Sequence, residues 1–227
     1  MSGSVITPEL RARIRALVVP IALGFGRVGL TPNALTVVGF GISVVAAFAA
    51  SQQAWVPAGL LVIFGGVFDL FDGALARATN TVSRLGAFLD SVFDRAAEAV
   101  LYIGIAIGFV IAGHEGVVIL AATAMASSFM VSYTRAKSES LGFTPGTGMA
   151  NVGLAPREVR LVILTVGLIL GAVVGAEPAL SVTLGLITVL ATITTIQRIV
   201  HVTRQAPPEP VPPATPATPA TPGGDHP

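Results

Sequence analysis

Six apolar stretches, at about 33–51, 54–76, 85–112, 116–139, 158–176 and 179–203, dominate this 227-residue chain. Each is close to the roughly 20 residues that an α-helix needs to cross the hydrocarbon core of a bilayer. Lipid offers no partner to a bare N–H or C=O, so runs of this length have to satisfy their backbone internally, as helices. Composition agrees. Only 11% of residues are charged and mean hydropathy is +0.81, whereas a soluble domain carries about 25% charged residues. The expected fold is an all-α membrane protein with six transmembrane helices forming one domain over residues 29–204.

The flanks read differently. Residues 1–28 mix Arg11, Arg13, Arg15 and Arg27 with an apolar face. That is too charged to span, and an amphipathic helix lying on the membrane surface is expected. No cleavable leader is expected; the first apolar stretch would itself direct insertion. GLTPNALT (29–36) offers Pro32 and Asn33, a possible cap, at the start of the first spanning helix. The Gly- and Pro-rich 141–156 reads as a true loop. Residues 205–227, rich in Pro, Ala and Thr, cannot build a core and are expected to form a disordered tail.

Charge placement sets an orientation. The 13 Lys and Arg residues precede the first stretch, flank the second-to-third and fourth-to-fifth connections, or lie at the end of the last; Arg95, inside the third stretch, is the exception. The opposite connections hold none. An excess of Lys and Arg marks the cytoplasmic side, so both termini are expected in the cytoplasm and the protein in the plasma membrane. Net charge is +1, which gives no basic surface for nucleic acid, and the absence of cysteine excludes disulfides and thiolate metal sites.

Against this background FDLFDGALARATNTVSRLGAFLDSVFD (68–94) stands out. Asp69 and Asp72 share a helix face near the end of the second span. Asp90 and Asp94, roughly 6 Å apart along a helix axis, share a face at the start of the third. A short connection is expected to make the two spans antiparallel neighbours, so the four carboxylates converge near the cytoplasmic surface. Close carboxylates repel unless a cation intervenes. An all-oxygen donor set favours Mg²⁺, Mn²⁺ or Ca²⁺, and two such ions suit phosphoryl transfer. Gly73 leaves room for a ligand, and Arg77, one turn on, can pair with a phosphate. A structural use of the acids, salt-bridged to Arg77, Arg84 and Arg95, is the plain alternative. Glu98 extends the Asp90–Asp94 stripe, either supporting the site or as a structural partner of Arg95. A cation transporter using the acids as its ion site is the competing class. Such sites tend to lie near the bilayer midplane between repeats, and no internal repeat is apparent.

Asp69, Asp72, Gly73, Ala76 and Arg77, followed after eight residues by Gly86, Asp90 and Asp94, match every fixed position of a known signature. In this the chain resembles the CDP-alcohol phosphotransferases. The resemblance implies a divalent-metal enzyme that moves a phosphatidyl group from CDP-diacylglycerol to an alcohol and releases CMP. It assigns Asp69, Asp72, Asp90 and Asp94 to two Mg²⁺ or Mn²⁺ ions, with Asp94 also the catalytic base. Gly73 and Arg77 would contact the CDP moiety, and Gly86 would permit close helix packing or nucleotide approach. It also implies a homodimer.

Basic residues bear on the acceptor. Arg135 ends the fourth stretch, Arg157 and Arg160 begin the fifth, and Arg198 lies near the end of the sixth. As a set they suggest a pocket for a phosphate on the acceptor, although each also serves as a topology signal. These stretches are similar to those of actinobacterial phosphatidylinositol phosphate synthases, which implies inositol 1-phosphate as acceptor. Arg135 stands where Lys is usual and Arg157-Glu-Val-Arg160 where Arg-Pro-Glu-Arg is expected, so glycerol 3-phosphate is the alternative. Trp55, near a span end, is expected to anchor at the interface.

Overall fold

A computed structural model describes residues 8–143 and 152–205; residues 206–227 of the expected tail, and residues 144–151 of the expected loop, lie outside the described residues, while Gln205 ends a helix. Seven helices are found there and no strand: α1 Pro8–Arg27, α2 Pro32–Ser51, α3 Trp55–Ala78, α4 Arg84–Ala112, α5 Glu115–Ser140, α6 Arg157–Val174 and α7 Ala176–Gln205. Five of them (α2, α3, α4, α5 and α7) are long and apolar enough to cross a membrane. The sixth expected span, α6, has 18 residues, and its first turn holds Arg157, Glu158 and Arg160, so no window of that length is free of them.

Local chemistry sets the boundaries. Thr31, rather than the expected Asn33, caps α2: its hydroxyl accepts from the Ala34 N–H at 3.2 Å. Pro32 then sits at the first helical position, where its missing N–H costs nothing. Ser83 caps α4 in the same way through the Gly86 N–H at 3.0 Å. Gly113, in the left-handed region at φ +78°, ends α4.

The helices alternate in direction. The start of α2, the end of α3 and the start of α4 meet at one end of the molecule. The end of α5, the start of α6 and the end of α7 join them there, as the Arg157–Asp94 and Arg198–Val131 contacts record. At the opposite end α2 turns into α3, and Gln53 Nε2 in that turn donates to the Gly108 carbonyl of α4 at 3.2 Å. Trp55 lies here, but it is 8% exposed with its ring stacked on Phe109 at 5.2 Å. It is a core residue and not the expected interface anchor.

In lipid the apolar effect does not hold helices together; close packing does. The α2–α4 contact illustrates this. A Cβ on Gly104 would come within 2.2 Å of the Ala47 carbonyl oxygen, and one on Gly108 within 2.6 Å of that of Ala50. Around this contact pack Leu101, Ile105, Leu164, Leu168, Leu184 and Ile187. Large apolar side chains such as Phe48, Ile111, Val173 and Val182 are left exposed, as a lipid-facing surface requires. Helix α1 packs on α3, with Phe25 against Phe68 and Phe71 at 5.8 and 5.5 Å.

Candidate active site

The expected direct packing of α3 against α4 is replaced by a wedge. Helix α2 packs along both, and α3 and α4 make few contacts with each other. Small residues let α2 approach α4 closely. A cavity of about 510 Å³ lies between the start of α2, the end of α3 and the start of α4. Asp72, Asp90, Gly73, Arg77 and Gly86 all line it, together with Thr31, Pro32 and Asn33 at the start of α2.

Each glycine here has a steric reason. The Arg77 guanidinium folds over Gly73, so that a Cβ at Gly73 would sit 3.1 Å from Arg77 Nη1. At Gly86 a Cβ would meet Ser83 Oγ at 3.1 Å and Asn33 Oδ1 at 3.3 Å, which makes this glycine the point where the starts of α2 and α4 come close. Gly39, which sequence reasoning passed over, leaves room for Asp69: its Cβ would be 3.1 Å from Asp69 Oδ1.

Thr36 is a second residue missed from sequence. It is buried one turn into α2, and its hydroxyl donates to Asp72 Oδ2 at 2.6 Å. The signal was present in TPNALT, since Thr36 falls on the same helical face as Pro32, but nothing in sequence said which helix that face would meet.

Asp69 and Asp94 are brought together on one cation. Arg157 Nη1 and Nη2 donate to Asp69 Oδ2 at 3.0 and 3.1 Å, and Nη1 lies 2.8 Å from Asp94 Oδ1. Arg95 is more loosely placed, 3.8 Å from Asp94 Oδ2. With two carboxylates turned to Arg157 and one to Thr36, no three acidic or His side chains among the described residues close on one point. The donor set nevertheless fits a divalent cation. Every candidate ligand atom is a hard carboxylate oxygen, and a positive group is already accommodated between Asp69 and Asp94.

The expected cluster of phosphate-binding arginines divides. Arg135 is exposed and bonded to Glu139 at 2.9 Å. Arg198 is 3% exposed and donates to the Val152 carbonyl at 3.0 Å and to that of Val131. Among the described residues no carboxylate pairs with it, and the charges of Arg135, Arg160 and Arg95 act on it, opposed by that of Glu139. Arg160 departs from expectation. It is 1% exposed, and its Nε and Nη2 donate to the two oxygens of Glu98 at 2.8 and 2.7 Å. A guanidinium so enclosed and neutralised is not open to an incoming phosphate, so Arg160 is a structural residue. Glu98 is likewise structural, with Arg160 rather than Arg95 as its partner. Tyr102 OH donates to Glu98 Oε1 at 3.4 Å and is 3.2 Å from Ser128 Oγ.

Arg160 also donates from Nη1 to the Ala155 carbonyl at 2.9 Å. Thr194 Oγ1 accepts from the Leu154 and Ala155 N–H groups at 3.1 and 3.0 Å. The segment leading into α6 is thus tied to α4 and α7, and this fixes where Arg157 emerges.

The CDP-alcohol phosphatidyltransferase family matches residues 29–197. The chain is 34% identical over 165 residues to the archaetidylinositol phosphate synthase of Pyrococcus horikoshii, a match covering 73% of this chain and 83% of the relative. The crystal structure of Mycobacterium tuberculosis phosphatidylinositol phosphate synthase with CDP-DAG bound superimposes with a TM-score of 0.75 at 31% identity, over 82% of this chain and 94% of that one. The same enzyme in complex with manganese and citrate gives a TM-score of 0.73 at 33% identity, over 82% and 88% of the two chains. With a family match over residues 29–197 and a relative 34% identical over 73% of its length, this chain belongs to the CDP-alcohol phosphatidyltransferase family.

Proposed function

We propose that the protein transfers a phosphatidyl group from CDP-diacylglycerol to a hydroxyl of inositol 1-phosphate, giving phosphatidylinositol phosphate and CMP. The observation that carries the reading is the single cleft uniting Asp72, Asp90, Gly73, Arg77 and Gly86. Its volume, about 510 Å³, is within the range of small-molecule sites. The cleft lies at one end of the bundle, where acyl chains stay in the bilayer while a nucleotide stays in water. An ion-transport site near the bilayer midplane is not favoured by this placement.

Asp69, Asp72, Asp90 and Asp94 would hold two divalent cations, Mg²⁺ or Mn²⁺. Bound there, the ions offset charge on the diphosphate as it is cleaved. Thr36 fixes the orientation of Asp72. Arg77 pairs with the diphosphate, and Gly73 keeps space beside it. Asp94 takes the proton of the attacking hydroxyl; a carboxylate serves as base when it reaches that proton. The hydroxyl oxygen forms a bond to the lipid-side phosphorus, the bond from that phosphorus to the bridging oxygen breaks, and CMP leaves with the electron pair.

Support for a phosphorylated acceptor comes from the arginines. Arg198 is a buried cation whose hydrogen-bond partners are carbonyls, and the cations around it outnumber the one nearby carboxylate, Glu139, an environment that a phosphate would neutralise. Arg135 and Arg157 are its companions in this reading, with Arg160 behind them. Inositol is favoured over glycerol by the relatives, two of which are named for inositol phosphate products.

We further infer six membrane spans, with α6 as the sixth. Its 18 residues reach about 27 Å, and its charged first turn falls at the headgroups. The residues carrying Arg77, Arg84, Arg135, Arg157 and Arg198 meet at one end, which supports both termini and the catalytic cleft facing the cytoplasm of a plasma membrane. Helix α1 lies on that surface, and the enzyme acts as a homodimer.

The test is CMP release by purified protein with CDP-diacylglycerol and Mg²⁺ or Mn²⁺, offered inositol 1-phosphate, glycerol 3-phosphate, inositol or serine separately. Release with inositol 1-phosphate alone is expected. Release with glycerol 3-phosphate alone would keep the chemistry and overturn the acceptor.

A further inference from the structure

Two acids on α4 and two arginines on α6 form a ladder between helices that hardly touch. Asp94 pairs with Arg157 at 2.8 Å, and Glu98, one turn on, pairs with Arg160 at 2.7 Å. The rungs differ in kind. In the Glu98–Arg160 rung both side chains are at most 3% exposed, and two parallel bonds join them. In the Arg157 rung the arginine side chain is 17% exposed and its guanidinium is shared between Asp69 and Asp94. Its Nε is a buried donor with no partner. A buried unsatisfied N–H is costly, so the outer rung is not the best arrangement these groups could reach, whereas the inner one is saturated.

We propose that Arg157 is a tethered counter-ion of the acidic cluster, which divalent cations displace when they bind Asp69 and Asp94. The inner rung makes displacement a side-chain event. Arg160 holds the Ala155 carbonyl and Thr194 the Leu154 and Ala155 N–H groups, so the start of α6 stays in place while the Arg157 side chain swings. Without a cation between them the two carboxylates repel. With Arg157 there, the metal-free protein is stabilised; with metal there, Arg157 is freed beside the cleft. The inference rests on Asp69 and Asp94 being metal ligands.

Mn²⁺ affinity, followed by electron paramagnetic resonance of the free ion, and melting temperature with and without saturating Mn²⁺ test it on the full chain in detergent. Arg157→Gln is expected to bind Mn²⁺ about tenfold more tightly, the scale of one charge-assisted hydrogen bond given up. Its metal-free form melts lower than wild type, and saturating Mn²⁺ abolishes that difference. Arg157→Lys, which keeps the charge, falls between. A melting deficit of the same size with and without Mn²⁺, alongside unchanged Mn²⁺ affinity, would mean that Arg157 is only structural and would overturn the proposal. Asp69→Asn separates the two levels. Weakened Mn²⁺ binding in that variant keeps the metal site whatever Arg157 does, while wild-type binding overturns the metal site and the counter-ion together.

Discussion

Glu98→Gln removes one charge from the best-enclosed ion pair in the molecule with almost no change of shape. Arg160 is 1% exposed and Glu98 3%, so solvent cannot compensate the arginine left behind. Breaking a buried pair from one side costs about 3–5 kcal/mol. Removing both charges is a different perturbation. In Glu98→Leu with Arg160→Met no bare charge or unpartnered amide remains, and the chief loss is the bond from Arg160 to the Ala155 carbonyl, worth about 1 kcal/mol. The double variant is therefore expected to be more stable than the single one, by about 2 kcal/mol or more given those two magnitudes. Equilibrium unfolding in mixed micelles reads this directly. The single tryptophan, Trp55, is buried on Phe109 at 5.2 Å and reports core opening by fluorescence. A loss below about 1 kcal/mol for Glu98→Gln, the level of an ordinary hydrogen bond, would refute the reasoning. So would a double variant no more stable than the single.

Asp94→Asn is expected to abolish CMP release while CDP-diacylglycerol still binds and the fold is kept; wild-type turnover would remove Asp94 as the base. Thr36→Val, nearly isosteric, frees Asp72 from its 2.6 Å bond; turnover is expected to fall about tenfold, the scale of one charged hydrogen bond, with the melting temperature little changed. Gly104→Val would drive a side chain into the Ala47 carbonyl and should cost about 1–3 kcal/mol or more, as overpacking does, measured by the same unfolding assay. Chelation of divalent cations is expected to stop CMP release, and added Mg²⁺ or Mn²⁺ to restore it.

The parts of this molecule that sequence made legible are those written in spacing. Apolar run length located the helices, and the intervals among Asp69, Asp72, Asp90 and Asp94 put them on facing surfaces. What spacing could not show is partner choice. Asp94, Glu98, Arg95, Arg157 and Arg160 offer several pairings of equal charge, and only the registration of α6 against α4 decides that Glu98 takes Arg160. That decision withdrew Arg160 from the expected phosphate pocket. The gap between α3 and α4 was hidden for a related reason. A short connection predicts adjacency, but Gly104 and Gly108 let α2 approach α4 closely. Trp55 was misread because an aromatic at a span end is an anchor or a core residue depending on whether Phe109 is there to receive it.

The turn joining α2 to α3 is stitched to α4 by Gln53, while at the far end the same three helices part around the cleft. The closest backbone approach among these helices is thus at one end, like the hinge side of a book, while at the other polar side chains such as Thr36 and Asp72 reach across. The tight glycine contacts and the Trp55–Phe109 stack sit toward the spine, and the cleft opens at the fore-edge. Substitutions lining the open end can reshape what the cleft admits without touching the seam that keeps the helices together. A scaffold divided in this way can change what it binds over evolutionary time while its foldedness is inherited almost unaltered.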